Sequence, residues 1–254
     1  MSARRPTLEE WFLAFQLRRM QRENAYATGS LTVEVTALVN DHAARGERPS
    51  FPCVLSRAAA LAAVAVPRAN RMYLSLLWGD RIVEPEGVHI NMPIRHAGPH
   101  GPVLTVECFR DADQRSAHAL RQELRAHVQA GLDGTTVTRL AATRPNRPWW
   151  RLALRLLWFG AWRLGGAARH GGCITVSCPA SGRAPGVAAH FTGPTPGSIL
   201  LALCAIREEG GRTWLDLGFT ANHLVLDGAD IRAYLEALTG ILEGRSPDGV
   251  AALR

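Results

Sequence analysis

A strand-like run, TWLDLGFTANHLVL over residues 213–226, passes almost without a connector into GADIRAYLEALTGILEG at 228–244, which has the apolar spacing of an amphipathic helix. The chain therefore turns sharply at Asp227 and Gly228, either of which can open the helix. A glycine there permits a turn in which a Cβ would crowd the backbone. The same junction carries His223, followed by Leu224, Val225 and Leu226, which read as buried. A buried neutral imidazole needs hydrogen-bond partners. His223 is thus either a satisfied core residue or a group positioned for chemistry.

Upstream, helix and strand signals alternate. TLEEWFLAFQLRRMQREN (7–24) has Thr7 as N-cap and Glu10 three residues on, a capping box, and then apolar residues at helical spacing. GSLTVEVTALV (29–39) opens with β-branched alternation and reads as a strand leading into a helix. CVLSRAAALAAVAV (53–66) is a helix of small apolar residues, expected to be buried and ended by Pro67. RMYLSLLWGDRIVEPEGVHINMPI (71–94) predicts a hairpin with Gly79 and Asp80 at its turn and a second strand over Val88–Ile94. A strand follows at 103–109, and DADQRSAHALRQELRAHVQA (111–130) predicts an amphipathic helix with an acidic start. Further strands are expected over 172–180 and 198–206, separated by a Gly/Pro-rich loop. With no linker or repeat, this order predicts one α/β domain over 1–254, an α+β two-layer sandwich.

Charge and cysteine content narrow the partners. The net charge of +7 is carried by arginine spread along the chain and not gathered into a basic tail, which argues against nucleic acid. The five cysteines have no CxxC spacing and read as reduced, mostly buried thiols of a cytoplasmic protein. No pair of histidines has the spacing of a metal site, so no metal is expected. The first residues lack a signal-peptide core, and no run approaches the ~18 apolar residues of a membrane span.

HxxxDG by itself is a modest signal, but its flanks make it specific. FTANHLVLDGADIRAYLEALTGILEG resembles the C-terminal signature of dihydrolipoyl acyltransferases, the catalytic cores of 2-oxoacid dehydrogenase complexes, and of chloramphenicol acetyltransferases. The resemblance runs through nearly the whole chain. LRRMQREN and LTVEV look like the first helix and strand, and VLSRAAALAAVAVPRANRMY like the segment ending in a proline-containing turn. GDRIVEPEGVHINMPI and VLTVECFRDADQRSAHALRQEL fit the central strands and following helix. CITVSCPAS stands where the family has its serine-bearing strand, with GPTPGSILLALCAIRE next.

That resemblance implies a chloramphenicol-acetyltransferase-like mixed sheet packed with helices, assembled as a homotrimer with active sites at subunit interfaces. It implies acyl transfer from a thioester, on coenzyme A or an acyl carrier protein as co-substrate, with no bound cofactor. His223 would be the general base and Ser177, from the neighbouring subunit, the oxyanion donor. Imidazole titrates in the range such a base needs, and a donor at the developing oxyanion is the other requirement. Asp227 would pair with an arginine, Arg18 or Arg19 in the first helix, and hold the histidine loop. Gly228 and Asn222 would support it. Thr175, which shares a strand face with Ser177, is the alternative hydroxyl, while Cys178 takes the other face.

Three departures shape the expectation. No lipoyl domain or peripheral subunit-binding segment is recognised, so an acyl carrier on a lipoyl arm is not expected within this polypeptide. Asn222 and Leu224 stand where the dehydrogenase-complex enzymes usually carry Asp and Arg, which favours a free-standing acyltransferase. The third departure is WWRLALRLLWFGAWRLGG (149–166), an insertion-like helical segment whose apolar side chains go almost all round the axis, with Arg151, Arg155 and Arg163 on one flank. It reads as a helix packed on the body with snorkelling arginines, as a peripheral membrane contact, or as an apolar wall for a long acyl chain. In the last two readings Trp149, Trp150, Trp158 and Trp162 meet the substrate or lipid. Two rival functions stay open: an inactive trimeric scaffold of the same fold, and a lipid- or membrane-binding protein using that helix.

Overall fold

A short strand, β6 (Ile174–Ser177), lies near the middle of a six-stranded mixed sheet and is parallel to both its neighbours. The computed structural model describes residues 6–76, 79–98, 101–134, 141, 143–163, 171–179, 195, 197–245 and 249–253. In chain order the elements are α1 (Leu8–Glu23), β1 (Tyr26–Glu34), α2 (Thr36–Ala44), α3 (Phe51–Ala65), β2 (Met72–Leu76), β3 (Gly79–Val83), β4 (Ile90–Gly98), β5 (Gly101–Phe109) and α4 (Ala117–Ala130). There follow α5 (Pro148–Arg163), β6, β7 (Ile199–Glu209), β8 (Arg212–Asn222) and α6 (Gly228–Leu242). The sheet order is β1-β8-β7-β6-β4-β5, and β2 and β3 form a separate ribbon.

Alternate residues of the strands, such as Leu201 and Leu203 of β7 and Leu215 and Leu217 of β8, pack with α3, α4 and α6 into one continuous core. That arrangement is the expected two-layer sandwich. The alanines of α3 explain how closely it seats: Ala58, Ala59, Ala60, Ala62 and Ala63 are all buried and short enough for α6 to lie against them. Tyr234 of α6 is fully buried there, and its hydroxyl meets the need for a partner by donating to the Ala59 carbonyl at 3.2 Å.

Local chemistry accounts for most element ends. Thr7 and Glu10 form the expected capping box of α1, with reciprocal bonds of 3.1 and 2.8 Å. The helix expected from residue 111 instead begins at Ala117, because Ser116 caps it by accepting from the Ala119 amide at 3.1 Å. The acidic stretch before it is a turn, pinned by Arg57, which donates to the carbonyls of Ala112 and Asp113. The predicted hairpin is also redrawn. β2 pairs with β3, with Leu76 opposite Gly79, so Gly79 and Asp80 begin the return strand and are not the turn. The strand expected over Val88–Ile94 is β4, which pairs with β5 and β6 in the main sheet.

Gly197 fixes the entry into β7. A Cβ on it would lie 1.9 Å from the Cys173 carbonyl oxygen, a backbone atom that cannot move without breaking the bond it accepts from the Ser198 amide at 2.7 Å. Gly197→Ala is expected to lower stability by about 2–4 kcal/mol through overpacking at the β6–β7 junction. Urea unfolding reads this directly, and an unchanged midpoint would show that the junction yields freely.

Candidate active site

β8 ends at Asn222, and the four residues after it are held from several sides. The buried Asn222 amide donates to Asn24 Oδ1 at 2.8 Å and accepts from the Leu224 amide at 3.1 Å. The Asn222 carbonyl accepts from the amides of Val225 and Leu226, and the His223 amide donates to the Ala25 carbonyl at 2.7 Å. Val225 and Leu226 are buried as expected and anchor the turn in the core. Leu224 is not: it is 38% exposed, because the chain has already left the strand and turned, so the strict alternation of a strand no longer applies.

His223 is exposed at this turn, so it is not a buried core histidine. Its Nδ1 lies 3.0 Å from the Leu226 carbonyl oxygen. A carbonyl oxygen can only accept, so Nδ1 carries the proton of the neutral ring and Nε2 keeps its lone pair. This is the tautomer a general base working through Nε2 requires.

Asp227 is the N-cap of α6, its carboxylate accepting from the Asp230 amide at 2.9 Å while Asp230 Oδ2 accepts from the Asp227 amide at 3.1 Å. The bond from the Asp230 amide, aided by the Ala229 amide and the Arg68 guanidinium, holds the Asp227 carboxyl below its ordinary value of 3.8. The arginine expected from α1 is a different one. Arg68, in the single 3-10 turn Pro67–Ala69 after α3, pairs with Asp227 at 3.1 Å and Asp230 at 2.8 Å. Arg19 is directed elsewhere by the packing of α1 on α5, its guanidinium lying 5.4 Å from the Trp158 ring centre. The expected crowding at Gly228 is not found: a Cβ there would meet open space, so sterics do not require a glycine at the first position of α6.

Ser177 closes β6 and lies on the wall of a groove of about 850 Å³. Phe51, Met92, Ile94, Leu104 and Leu203 give that groove a mostly apolar lining. Thr175 is buried at 6% exposure within the sheet, which leaves Ser177 the more accessible hydroxyl. Burial pushes the adjacent Cys178 thiol up to about 12, so it is a packing residue and no thiolate nucleophile.

One chain does not bring His223 and Ser177 together. Ser177 is level with Ala202 of β7, which is level with Gly218 of β8. His223, the first residue past the end of β8, lies five residues beyond Gly218 and two strands across from Ser177, a separation of roughly 19 Å at usual strand spacings. Two groups acting on one carbonyl must each lie within about 3 Å of it.

The tryptophans of α5 divide between two environments. Trp158 and Leu154 are buried against Leu8 and Phe12 of α1, and Trp150 packs at the edge of that cluster. Trp149 is 59% exposed, and the Trp162 side chain lies outside the described residues. Trp149, Trp150 and Trp158 are not among the described residues that line the Ser177 groove. Among the described residues no group of three His, Cys, Asp or Glu side chains could hold a metal ion, and no helix is long and apolar enough to cross a membrane.

No family model matches the sequence, and no curated protein matches it either. Solved structures do. The dihydrolipoamide acetyltransferase of Azotobacter vinelandii superposes with a TM-score of 0.68 at 19% identity, covering 100% of this chain and 94% of its own. The fold is that of the chloramphenicol acetyltransferase-like acyltransferases. The cubic core of the pyruvate dehydrogenase multienzyme complex gives a TM-score of 0.65 at 19% identity over 95% of this chain and 91% of the other. Chloramphenicol acetyltransferase itself gives 0.51 at 15% identity, over 93% and 98%. The Azotobacter work concerns a serine, a histidine and an asparagine, in that chain order, in the catalytic mechanism of that enzyme. The structure thus has an acyltransferase fold, with an exposed histidine, its Nδ1 bonded to a main-chain oxygen, just past the end of β8, and a groove-lining serine near the middle of the sheet.

Proposed function

We propose that the protein is a free-standing acyltransferase of the HxxxDG type, active as a homotrimer, in which His223 of one subunit and Ser177 of its neighbour act on one thioester carbonyl. The observation that carries this is the bond from His223 Nδ1 to the Leu226 carbonyl, which leaves Nε2 as the proton acceptor on an exposed turn. The distance between His223 and Ser177 within a chain supports a site completed by a second copy.

In the proposed reaction Nε2 takes the proton of an incoming thiol, hydroxyl or amine as that atom attacks the carbonyl carbon of an acyl-CoA or acyl carrier protein. The Ser177 hydroxyl donates to the oxyanion. Collapse of the tetrahedral intermediate breaks the carbon–sulfur bond, and the imidazolium returns its proton to the departing thiolate. Asp227 acts as a positioning residue: with Asp230 and Arg68 it ties the histidine turn to the start of α6. The spacing from His223 to Asp227 matches the histidine-to-asparagine spacing studied in the Azotobacter enzyme. The apolar groove around Ser177 favours a hydrophobic acyl group or acceptor.

The test is thiol release from acetyl-, medium-chain and long-chain acyl-CoA with pooled amine, alcohol and thiol acceptors, followed by acylated carrier protein. Ser177→Ala is expected to lower turnover by roughly 10²–10³-fold with little change in KM, as for loss of an oxyanion donor. Equal turnover in both chains would remove Ser177 from the mechanism. Release from no donor, wild type included, would leave the fold as a scaffold.

A further inference from the structure

Helix α5 is apolar on two opposite sides. Leu154 and Trp158 bury one side against α1. On the other, Trp149, Leu152, Leu156 and Phe159 are 59, 57, 61 and 39% exposed. At 100° per residue these four fall within an arc of about 80°, so they form one solvent-facing stripe along a helix that its buried side holds in place. A monomeric protein rarely leaves such a stripe uncovered without a use for it.

Charge indicates what covers it. From residue 134 to residue 207 the sequence contains no Asp or Glu, and its only formally charged side chains are arginines. Arg144, Arg147 and Arg155 are exposed beside the helix. Their guanidinium carbons lie 5.0, 5.8 and 5.3 Å from the ring centres of Trp150, Trp149 and Trp11. Arg147 lies over Trp149 of the stripe itself, while Arg144 and Arg155 lie over Trp150 and Trp11 of the α1-facing cluster. An apolar stripe flanked by exposed guanidinium groups matches the boundary between acyl chains and anionic headgroups. Size points the same way. The stripe runs about 15 Å, and its four side chains expose on the order of 450 Å², about half of the ~800 Å² per partner of a stable protein interface. Shallow insertion of a single helix face into a bilayer needs no such area.

We propose that α5 docks the protein on anionic phospholipid surfaces, with Trp149, Leu152, Leu156 and Phe159 in the acyl boundary and the flanking arginines on headgroup phosphates. This contact is separate from the transfer reaction and stands or falls without it.

The test is co-sedimentation of the full chain with phosphatidylcholine vesicles, with and without phosphatidylglycerol. The wild type is expected to bind the anionic vesicles, more weakly at high salt. Trp149→Ser/Leu152→Gln/Leu156→Gln/Phe159→Ser is expected to reduce that binding by roughly a hundredfold, with oligomeric mass and thermal midpoint unchanged. Arg144→Gln/Arg147→Gln/Arg155→Gln provides a second reading should the first variant fold poorly, with an expected loss of at least about tenfold on anionic vesicles. The proposal is overturned if the wild type binds neither vesicle, or if both variants bind like wild type. It is also overturned if the first variant changes the oligomeric mass and leaves vesicle binding intact, because the stripe would then be covered by a second copy of the chain.

Discussion

His223→Ala is expected to lower acyl transfer by about a thousandfold, the middle of the range for loss of a general base, while the folded protein stays as it is. The second half of that expectation follows from the turn. Alanine retains the backbone bond to Ala25 and loses only the ring's bond to the Leu226 carbonyl, about 1 kcal/mol at an exposed turn, and because the ring is exposed its removal opens no buried cavity. The residues that anchor the turn are Asn222, Val225 and Leu226, and they are untouched. Rate and stability should therefore separate. Thiol release from the best donor, run beside a thermal melt, reads both. A variant that loses stability in proportion to its activity would make His223 a structural residue.

Mixed oligomers should recover what each single variant has lost. If His223 and Ser177 of one chain are roughly 19 Å apart, as usual strand spacings give, neither can complete the other's site. Chains carrying His223→Ala and Ser177→Ala would each be nearly inactive alone. Co-expressed and randomly assembled in a closed ring, about one site in four receives an intact histidine from one chain and an intact serine from the next. Activity near a quarter of wild type is the expected result. A site contained in a single chain predicts no recovery at all, and mixing the two preformed oligomers without subunit exchange gives the matching blank.

Much of the scaffold was legible because its signals are local. The Thr7–Glu10 box, the β-branched run of β1 and the apolar period of α6 each depend on residues a few positions apart. The site was legible only in part. His223 and Ser177 could be placed through their motifs, but Arg68 could not, since its carboxylate partners are 159 and 162 positions away and only the packing of α3 beside α6 joins them. The proline-containing turn VPRAN was the available signal, and it marked a turn without saying what the arginine in it would meet. The groove was hidden for the same reason: α3, β4, β5 and β6 all contribute to it, and strand order, not spacing, brings them together. Leu224 and Gly228 misled in the opposite direction. The first continues a strand-like apolar pattern past the point where the chain turns, and the second suggests a steric necessity where space is open.

The partner that orients His223 is a main-chain oxygen, that of Leu226, and this sets how the site can change over time. A carboxylate in that position could be lost, swapped for an amide or have its charge altered in a single codon. A peptide carbonyl is present whatever side chain follows it. Single substitutions at Leu226 can loosen the turn through the core but cannot delete the acceptor, so the ring's tautomer is inherited with the backbone. The same arrangement places a neutral acceptor, and not a carboxylate, against Nδ1. On the proposed reaction, divergence among proteins built this way should leave the histidine and its turn unchanged and fall on the walls of the Ser177 groove.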